Sequence, residues 1–233
     1  MPSHVNAGNT VVHNSYTRNM NIHSGLRNGK GQALTTSLPQ PATPRGVRTR
    51  KRLLMAAEIE FGQNGYAGTT VASITARAKV GQGTFYLYFP SKEDALRELV
   101  RHMGRQLRRA LTYATQHATS RLEAEELGLA AFIAFAKDHQ NLYRVVMESQ
   151  FVDETIYRDY YDSLAAAYQR NLEKAQKAGE ICNEIDAESA AWAFMGVAHF
   201  FGLRYGIWQG GGDAGTAVAT IKHLMQRGLA VQA

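Results

Sequence analysis

The stretch from Thr69 to Lys92, TTVASITARAKVGQGTFYLYFPSK, constrains the fold of this chain more than any other. It predicts two short helices joined by a tight turn at residues 79–81, with Pro90 ending the second one. Thr70 can cap the first helix, because its hydroxyl oxygen can accept a hydrogen bond from a backbone N–H of the first turn. Three apolar residues then share one side of that helix: Val71, Ile74 and Ala78. This spacing predicts a helix with one buried face.

The second helix begins at Gly81 or Gln82 and is too short to be stable alone, because helix nucleation is unfavourable. We expect Phe85 and Phe89 to hold it against the first helix. Three polar side chains are then left on its outer sides: Gln82, Thr84 and Tyr86. A short, supported helix with a polar outer surface is what a helix-turn-helix recognition element requires, so the stretch predicts DNA binding.

The charge of the chain is unevenly distributed. Residues 1–92 hold 11 Lys and Arg against two acids, whereas the remaining residues hold 15 against 18. The first part therefore has a net charge of +9 and the second a net charge of −3. Excess positive charge beside a helix-turn-helix favours a polyanion such as double-stranded DNA as the partner. The alternative is a basic segment that is simply solvated.

The first 44 residues are rich in Asn, Gly, Ser and Thr and have no helical or strand period. They are predicted to form a disordered basic N-terminal extension. A basic cluster follows directly and includes Arg45, Arg48 and Arg50. Such arms can enter the minor groove or contact phosphates. The first helix is predicted to run from Thr49 to Asn64, with Gly65 in the position that stops it.

The rest of the chain reads as helical throughout. We therefore predict an all-α fold in which residues 45–91 form a DNA-binding domain and residues 92–233 a larger ligand-binding and dimerisation domain. A long helix beginning at Lys92 links the two. The stretch 187–207 is apolar on nearly all sides, which predicts a helix covered by its own domain and by a second copy of the chain. The expected dimer-interface residues lie there and on the last helix: Trp192, Met195, Leu203, Ile221 and Met225.

As a set, the aromatic residues of the second half predict a mainly apolar cavity with hydroxyl groups on its wall, although any one of them is more often simple core. The candidates are Phe132, Phe135, Tyr143, Phe151, Tyr160, Tyr161, Tyr168 and Phe194. His199 is either a core histidine or a ligand contact. Arg204 could bind an anionic group of a ligand, and the alternative is an exposed or salt-bridged arginine.

Enzymatic readings have little support. The sequence has no nucleophile elbow, no His-Glu-x-x-His motif, no paired-cysteine metal site and no glycine fingerprint after a strand, so neither a cofactor nor a metal is expected. The single cysteine, Cys182, lies near Glu180 and Glu184 rather than in a basic setting that would make its thiol reactive. No apolar run approaches the roughly 18 residues of a membrane span, and the chain is expected to be soluble and cytoplasmic, with no membrane partner.

Residues 56–96, AAEIEFGQNGYAGTTVASITARAKVGQGTFYLYFPSKEDAL, resemble the tetracycline-repressor-like (TetR) family of transcriptional regulators. The markers of the resemblance include Phe61, Gly65, Tyr66, Ile74, Gly83, Thr84, Phe85, Tyr86, Ser91 and Lys92. The resemblance implies an all-helical homodimer in which the first three helices bind DNA. It further implies that the next four helices enclose a ligand pocket and that the last two form the dimer interface.

The resemblance also implies roles for individual residues. Gln82, Thr84 and Tyr86 would contact DNA from the recognition helix, with Gly81 at its start, while Thr70, Tyr88 and Lys92 would contact phosphates. Gln82 could bond bidentately to an adenine, although a Gln that contacts only water or phosphate is the alternative. The sequence departs from the family pattern at two positions. Lys79 stands where glycine is frequent, and Gly81 stands where a small hydroxyl residue is frequent, so a contact through that hydroxyl is lost.

We therefore expect a ligand-responsive DNA-binding regulator. The expected mechanism is that of a homodimeric repressor, which leaves a palindromic operator when a small-molecule effector binds the helical domain. The aromatic residues predict an apolar or aromatic effector, with an acyl or aromatic thioester among the candidates. Two alternatives remain, a constitutive DNA-binding protein without an effector and, with less support, a helical enzyme.

Overall fold

The computed structural model describes residues 41–208 and 213–229, and in these ranges the chain is helical without a strand. The described ranges contain nine α-helices: α1 (Pro44–Gly68), α2 (Val71–Ala78), α3 (Gln82–Tyr86), α4 (Lys92–Thr115), α5 (Arg121–Asp138), α6 (Gln140–Ser149), α7 (Glu154–Lys177), α8 (Ala187–Phe201) and α9 (Ala214–Leu229). The all-α prediction is confirmed. The predicted disorder of residues 1–44 falls almost entirely outside the described residues. None of the described helices is long and apolar enough to cross a membrane.

Helix α1 begins five residues earlier than predicted, at Pro44 rather than Thr49. Thr43 caps it by accepting a hydrogen bond from the Gly46 N–H at 3.1 Å, and proline suits the first helical position because its missing N–H would be unpaired there. The basic cluster is therefore part of a helix rather than an extended arm. The helix breaks at Gly65, where the backbone adopts φ 71°. This is the position that was expected to stop it.

The first three helices are closed around a small apolar core. Thr70 caps α2 and forms a reciprocal capping box with Ser73, as the hydroxyl pattern predicts. Short helix α3 is held by Phe85, which is fully buried and lies 5.5 Å from the ring of Phe89. The turn before α3 places Lys79 in the left-handed region (φ 52°), which explains why glycine would suit this position. The core also contains Leu53, Ala57, Phe61 and Ile74.

Helix α4 continues this core into the second half of the chain. Ser91 caps it by accepting from the Asp94 N–H at 3.1 Å, as predicted. Its apolar stripe is buried from Leu96 to Leu107, against α1 on one side and α5, α6 and α7 on the other. The same cluster of buried residues includes Phe85 of the first three helices and Tyr143 and Tyr160 of the following helices. The described residues thus belong to one compact unit.

The apolar stretch predicted as one helix over residues 187–207 changes its winding at Gly202. Helix α8 ends at Phe201, and residues Gly202–Ile207 form a π-helical turn. Gly206 lies so close to α5 that an added Cβ would come within 2.9 Å of the Ala136 Cβ. Gln140 donates a side-chain hydrogen bond to the Gly206 carbonyl at 3.2 Å. The wider turn therefore lets the chain approach α5 closely, which apolar periodicity cannot reveal.

Candidate DNA-binding and ligand-binding sites

Helix α3 presents to solvent the polar side chains that the sequence predicted for its outer surface. Gln82 and Tyr86 are exposed, Thr84 is half-buried, and Phe85 between them faces the core. Gly81 caps the helix with an extended backbone and makes no side-chain cap. Because a Cβ at Gly81 would meet nothing within 4 Å, the backbone at the start of α3 is open to a large partner.

The three expected phosphate contacts are placed differently from one another. Thr70 is exposed at the start of α2, and Tyr88 is half-buried with its hydroxyl near Gly46. Lys92 uses two of its three N–H donors inside the protein, because its Nζ donates to the Tyr66 and Thr69 carbonyls at 2.8 Å each. Its ammonium also lies 4.0 Å from the centre of the Tyr66 ring. The structure thus gives Lys92 a bracing role that the sequence did not predict.

The arginines of the basic cluster divide into two groups. Arg45 and Arg48 are exposed on the first turns of α1, as a DNA-contacting surface requires. The prediction that Arg50 contacts DNA is wrong, because its side chain is only 12% exposed. It lies over the Phe89 ring, 3.6 Å from Glu98 of α4. Its Nε and one Nη have no hydrogen-bond partner. Arg50 lies on the side of α1 that faces α4, which its membership of a basic cluster did not reveal.

A mainly apolar cavity of about 260 Å³ lies inside the second half of the chain. Its wall is formed by α4, α5, α6 and α7, as expected, and also by α8 and by Met225 of α9. Seven predicted pocket residues line it: Phe132, Tyr143, Tyr160, Tyr161, Tyr168, Phe194 and His199. In the part of the chain that the structure describes, no group of His, Cys, Asp and Glu is arranged to hold a metal ion.

Three of the predicted pocket residues lie elsewhere. Phe135 lies further along α5, beyond the cavity, where it is buried in the main core and stacks on His139 with ring centres 4.0 Å apart. Phe151 lies in the turn after α6 and is 83% exposed. Arg204 is exposed on the π-helical turn, 5.6 Å from the Tyr205 ring. These predictions were wrong because composition indicates that a cavity exists but does not say where along the helices and turns it lies.

A cluster of hydroxyl groups surrounds His199 on the cavity wall. The Tyr143 and Tyr161 hydroxyls lie 3.1 and 3.4 Å from its Nδ1, and Tyr143 can also donate to the His199 carbonyl at 3.0 Å. Burial lowers the pKa of His199, so the imidazole is favoured in its neutral form. Burial raises the pKa of both tyrosines. The cluster therefore offers neutral hydrogen-bonding groups to a ligand.

A second polar cluster on the wall was missed by the sequence analysis. Glu125 is only 5% exposed and receives a hydrogen bond from the Tyr168 hydroxyl and one from Arg121 Nε, the latter at 2.7 Å. Burial raises the pKa of Glu125, while the neighbouring Arg121 opposes this. The spacing of Arg121 and Glu125, four residues apart at the start of α5, was the signal available in the sequence.

Helix α6 connects the cavity with the DNA-binding helices. One side carries Tyr143, Val146 and Met147 on the cavity wall. The other side packs on α1, where a Cβ at Gly62 would come within 2.5 Å of Asn141. There Arg144 donates to the Gly62 carbonyl at 3.3 Å, and Glu148 accepts the Tyr66 N–H at 2.8 Å. Helix α6 therefore joins α4 as a link between the two sites.

The residues predicted for the dimer interface do not share one surface. Trp192 is 42% exposed. Met195 and Met225 line the cavity of their own chain, and Leu203 packs on the main core. Ile221 is half-buried between two smaller apolar clusters. Met195, Leu203 and Met225 were therefore assigned to the wrong side of their helices, because an all-round apolar pattern does not separate inner from outer faces.

The fold and the two sites define a helix-turn-helix transcriptional regulator with a hollow helical domain. The family described as bacterial regulatory proteins, tetR family, matches residues 53–99. The Bacillus subtilis protein YdgC, an uncharacterised HTH-type transcriptional regulator, is 30% identical over 159 residues, covering 66% of this chain and 78% of its own. The chain belongs to the tetR family. It is a transcriptional regulator and not an enzyme.

One solved structure and one further curated protein are also similar to this chain. The transcriptional regulator FadR of Bacillus subtilis, solved in complex with stearoyl-CoA, has a TM-score of 0.66 at 20% identity, over 75% of this chain and 96% of its own. At this identity the likeness concerns the fold. The A-factor receptor protein of Streptomyces griseus is 28% identical over 171 residues, which is 69% of this chain and 55% of that protein.

Proposed function

We propose that the protein is a cytoplasmic, homodimeric repressor that binds a palindromic operator and leaves it when an apolar or aromatic molecule enters the cavity. The observation that carries this proposal is that α4 and α6 belong to both the cavity and the DNA-binding region. Both helices form the cavity wall and both pack on the DNA-binding helices. A ligand that favours another arrangement of these two helices would shift the separation of the recognition helices.

The proposed DNA surface combines base and phosphate contacts. Gln82 and Thr84 would read base edges from α3, and Gln82 is the exposed residue suited to adenine. The proposed phosphate contacts are Arg45, Arg48, Thr70, Tyr86 and Tyr88, together with the remaining donor of Lys92. Gly81 would allow close approach of the helix start to the duplex.

The proposed dimer would use the outer faces of α8 and α9. Three large apolar side chains are exposed there: Trp192 at 42%, Phe200 at 65% and Leu224 at 59%. Pairing these faces would remove apolar surface from water, which favours association. Two recognition helices related by a two-fold axis would then meet half-sites about 34–36 Å apart, one helical turn of DNA.

The proposed effector class follows from the wall of the cavity. Its lining is mostly apolar, and its polar groups are hydroxyls, His199, Asn171, the Arg121–Glu125 pair and Arg108 at one edge. Acyl and aromatic thioesters have an apolar portion suited to such a wall, and a structural neighbour is described with stearoyl-CoA. This neighbour guides the choice of compounds to test and does not identify the effector of this protein.

The test begins with selection of DNA from a random-sequence pool by the purified full-length protein. Enriched duplexes should be palindromic and should bind specifically at physiological salt, with affinity falling steeply as salt rises. A panel of acyl thioesters, aromatic thioesters, fatty acids and neutral aromatics is then scored by thermal shift and by release of the selected DNA. Release by one class supports the proposal. Specific DNA binding with no response to any compound would favour a constitutive DNA-binding protein instead.

A further inference from the structure

A groove lined by arginines follows the outer side of α4. Its residues recur every three or four positions along the helix and are Arg105, Arg108, Arg109, Thr112, Tyr113 and Gln116. Like charges four residues apart on a helix repel one another, as Arg105 and Arg109 do here. Neither the helix-turn-helix nor the apolar cavity explains such a concentration of positive charge, which would suit an anion.

The groove adjoins the apolar cavity. Arg108 and Thr112 line both spaces, so they mark the place where the cavity meets the groove. Where the cavity meets the groove, Arg108 Nη1 donates a hydrogen bond to the Ser163 hydroxyl of α7 at 3.1 Å. A molecule with an apolar portion in the cavity could therefore extend past Arg108 into the groove.

The groove is also connected to the DNA-binding helices through Glu98. Arg105 donates to the Glu98 carboxylate at 2.9 Å. The same carboxylate lies 3.6 Å from an Nη of Arg50, and the Arg50 guanidinium lies over the ring of Phe89, which follows α3. Arg50 Nε and that Nη lack hydrogen-bond partners although the side chain is buried. Such a guanidinium would gain from a closer carboxylate.

We propose that the arginine groove holds the anionic group of an amphiphilic effector whose apolar portion fills the cavity, and that Glu98 transmits its presence to Arg50. This inference rests on the proposed function and names the chemistry of the effector. An anion in the groove attracts Arg105 and weakens its pair with Glu98. Glu98 then closes on Arg50, which changes how α1 and Phe89 are held against α4.

A single amphiphile is favoured over a separate anion because the two spaces share lining residues. A charge-assisted hydrogen bond typically adds enough free energy to raise affinity roughly tenfold or more. The probes are therefore decyl phosphate, decanol with the same chain but no charge, and pyrophosphate with charge but no chain. Binding to the full-length protein is measured by calorimetry, and DNA release is measured on the selected duplex.

We expect decyl phosphate to bind the unmodified protein roughly tenfold more tightly than decanol. Arg108→Met keeps the apolar stem and should abolish this difference by weakening the binding of decyl phosphate. Arg101→Met is the matched control, because Arg101 is exposed on the same helix but does not line the groove. It should leave the difference intact.

The connection to DNA binding is tested by two variants with opposite expected effects. Glu98→Gln should still bind decyl phosphate, but the phosphate should release DNA no better than decanol does. Arg105→Met frees Glu98 permanently and should weaken DNA binding without any ligand. Melting temperatures are compared first, and a variant that unfolds is replaced in the comparison by the other, since each alone separates transmission from binding.

Three outcomes would overturn the inference. If decanol and decyl phosphate bind equally and both release DNA, the groove holds no anionic group, although the proposed function stands. If pyrophosphate alone binds in a manner that needs Arg108, the anion belongs to a separate molecule. If neither ten-carbon compound binds, the amphiphile is wrong, whereas the proposed function fails only when the whole compound panel is inactive.

Discussion

Two buried glutamates, one in each half of the molecule, have pKa values displaced in opposite directions. Glu60 of α1 and Glu125 of α5 are 6% and 5% exposed. The hydrogen bond from Arg77 Nε at 2.5 Å lowers the pKa of Glu60, and Asn64 donates a second hydrogen bond at 3.2 Å. At Glu125 burial dominates and raises the pKa, although Arg121 also lies against it.

This difference distinguishes a packed first region, helices α1 to α3, from a hollow second region, the helices around the cavity. Around Glu60 the first three helices enclose a small core, and the Glu60 carboxylate is held by Arg77 and Asn64. Glu125 stands on the wall of a cavity, where its charged form is unfavourable. Strained electrostatics of this kind are typical of sites that receive another molecule. The comparison predicts that the first region responds to substitutions with lost stability and the second with changed ligand response.

The largest effect is expected from removing a core aromatic of the first region. Phe85→Ala empties a fully buried position that holds α3 and should lower the free energy of unfolding by about 3–5 kcal/mol. Phe132→Ala removes a half-buried ring that already borders a cavity, so the loss should be about 1–2 kcal/mol. Urea unfolding followed by circular dichroism measures both.

Ligand response and DNA affinity should separate these two variants further. Phe132→Ala should keep its DNA affinity and change the concentration of effector that releases DNA, whereas Phe85→Ala should lose specific DNA binding. Equal loss of stability in the two variants would break the contrast between packed and hollow regions.

The contrast also explains which features the sequence could predict. Ile74, Phe85 and Phe89 belong to one apolar core and Val71 packs against it, so the spacing of these residues in a short stretch predicted both the helices and their buried sides. The caps at Thr70 and Ser91 were readable for the same reason, because they depend on a few consecutive residues. The exposed positions of Gln82 and Tyr86 followed directly from this local pattern.

The second region depends on contacts between residues far apart in the chain. Tyr143 meets His199, 56 residues away, and Tyr168 meets Glu125, 43 residues away. Each aromatic could face the cavity, the core or solvent, and only the packed helices decide, which is why Phe151 was misplaced. Seven of ten pocket residues lie on the wall because most apolar helix faces in this region surround the same space.

The next largest effect concerns the outer surface of the packed region. Gln82→Ala should lose about 1–3 kcal/mol of discrimination at one base pair of each half-site, because one bidentate contact disappears. Binding is measured by fluorescence anisotropy against single-base variants of the selected duplex. Lys92→Ala is the comparison, and it should weaken binding to all sequences similarly, since its ammonium braces the end of α1. Identical profiles for the two variants would contradict this division of roles.

A smaller effect is expected at the Glu60 pair. Arg77→Ala should destabilise the protein by about 1–2 kcal/mol near neutral pH, a range that allows for screening because the Arg77 side chain is 40% exposed. The lowered pKa means that Glu60 adds stability above its ordinary pKa of 4.5 and that this is lost as pH falls through the folded value. The loss of stability in acid should therefore be weaker in Arg77→Ala, as urea unfolding at pH 3 to 7 measures. Arg77→Lys, which keeps a positive charge, should retain part of this pH dependence.

The smallest effect, and the sharpest test of the comparison, is expected for Glu125→Gln. Because the pKa of Glu125 is raised, the folded state holds more protons than the unfolded state between pH 4.5 and the folded value. Stability should therefore fall as pH rises through this window, opposite to the contribution of Glu60. The variant cannot titrate there and should lack this fall, while differing by about 1 kcal/mol at pH 7. Glu184→Gln, at an exposed position, should keep the slope of the unmodified protein. An unchanged slope in Glu125→Gln would place its pKa near that of a solvated acid, and the cavity wall would then hold no strained charge.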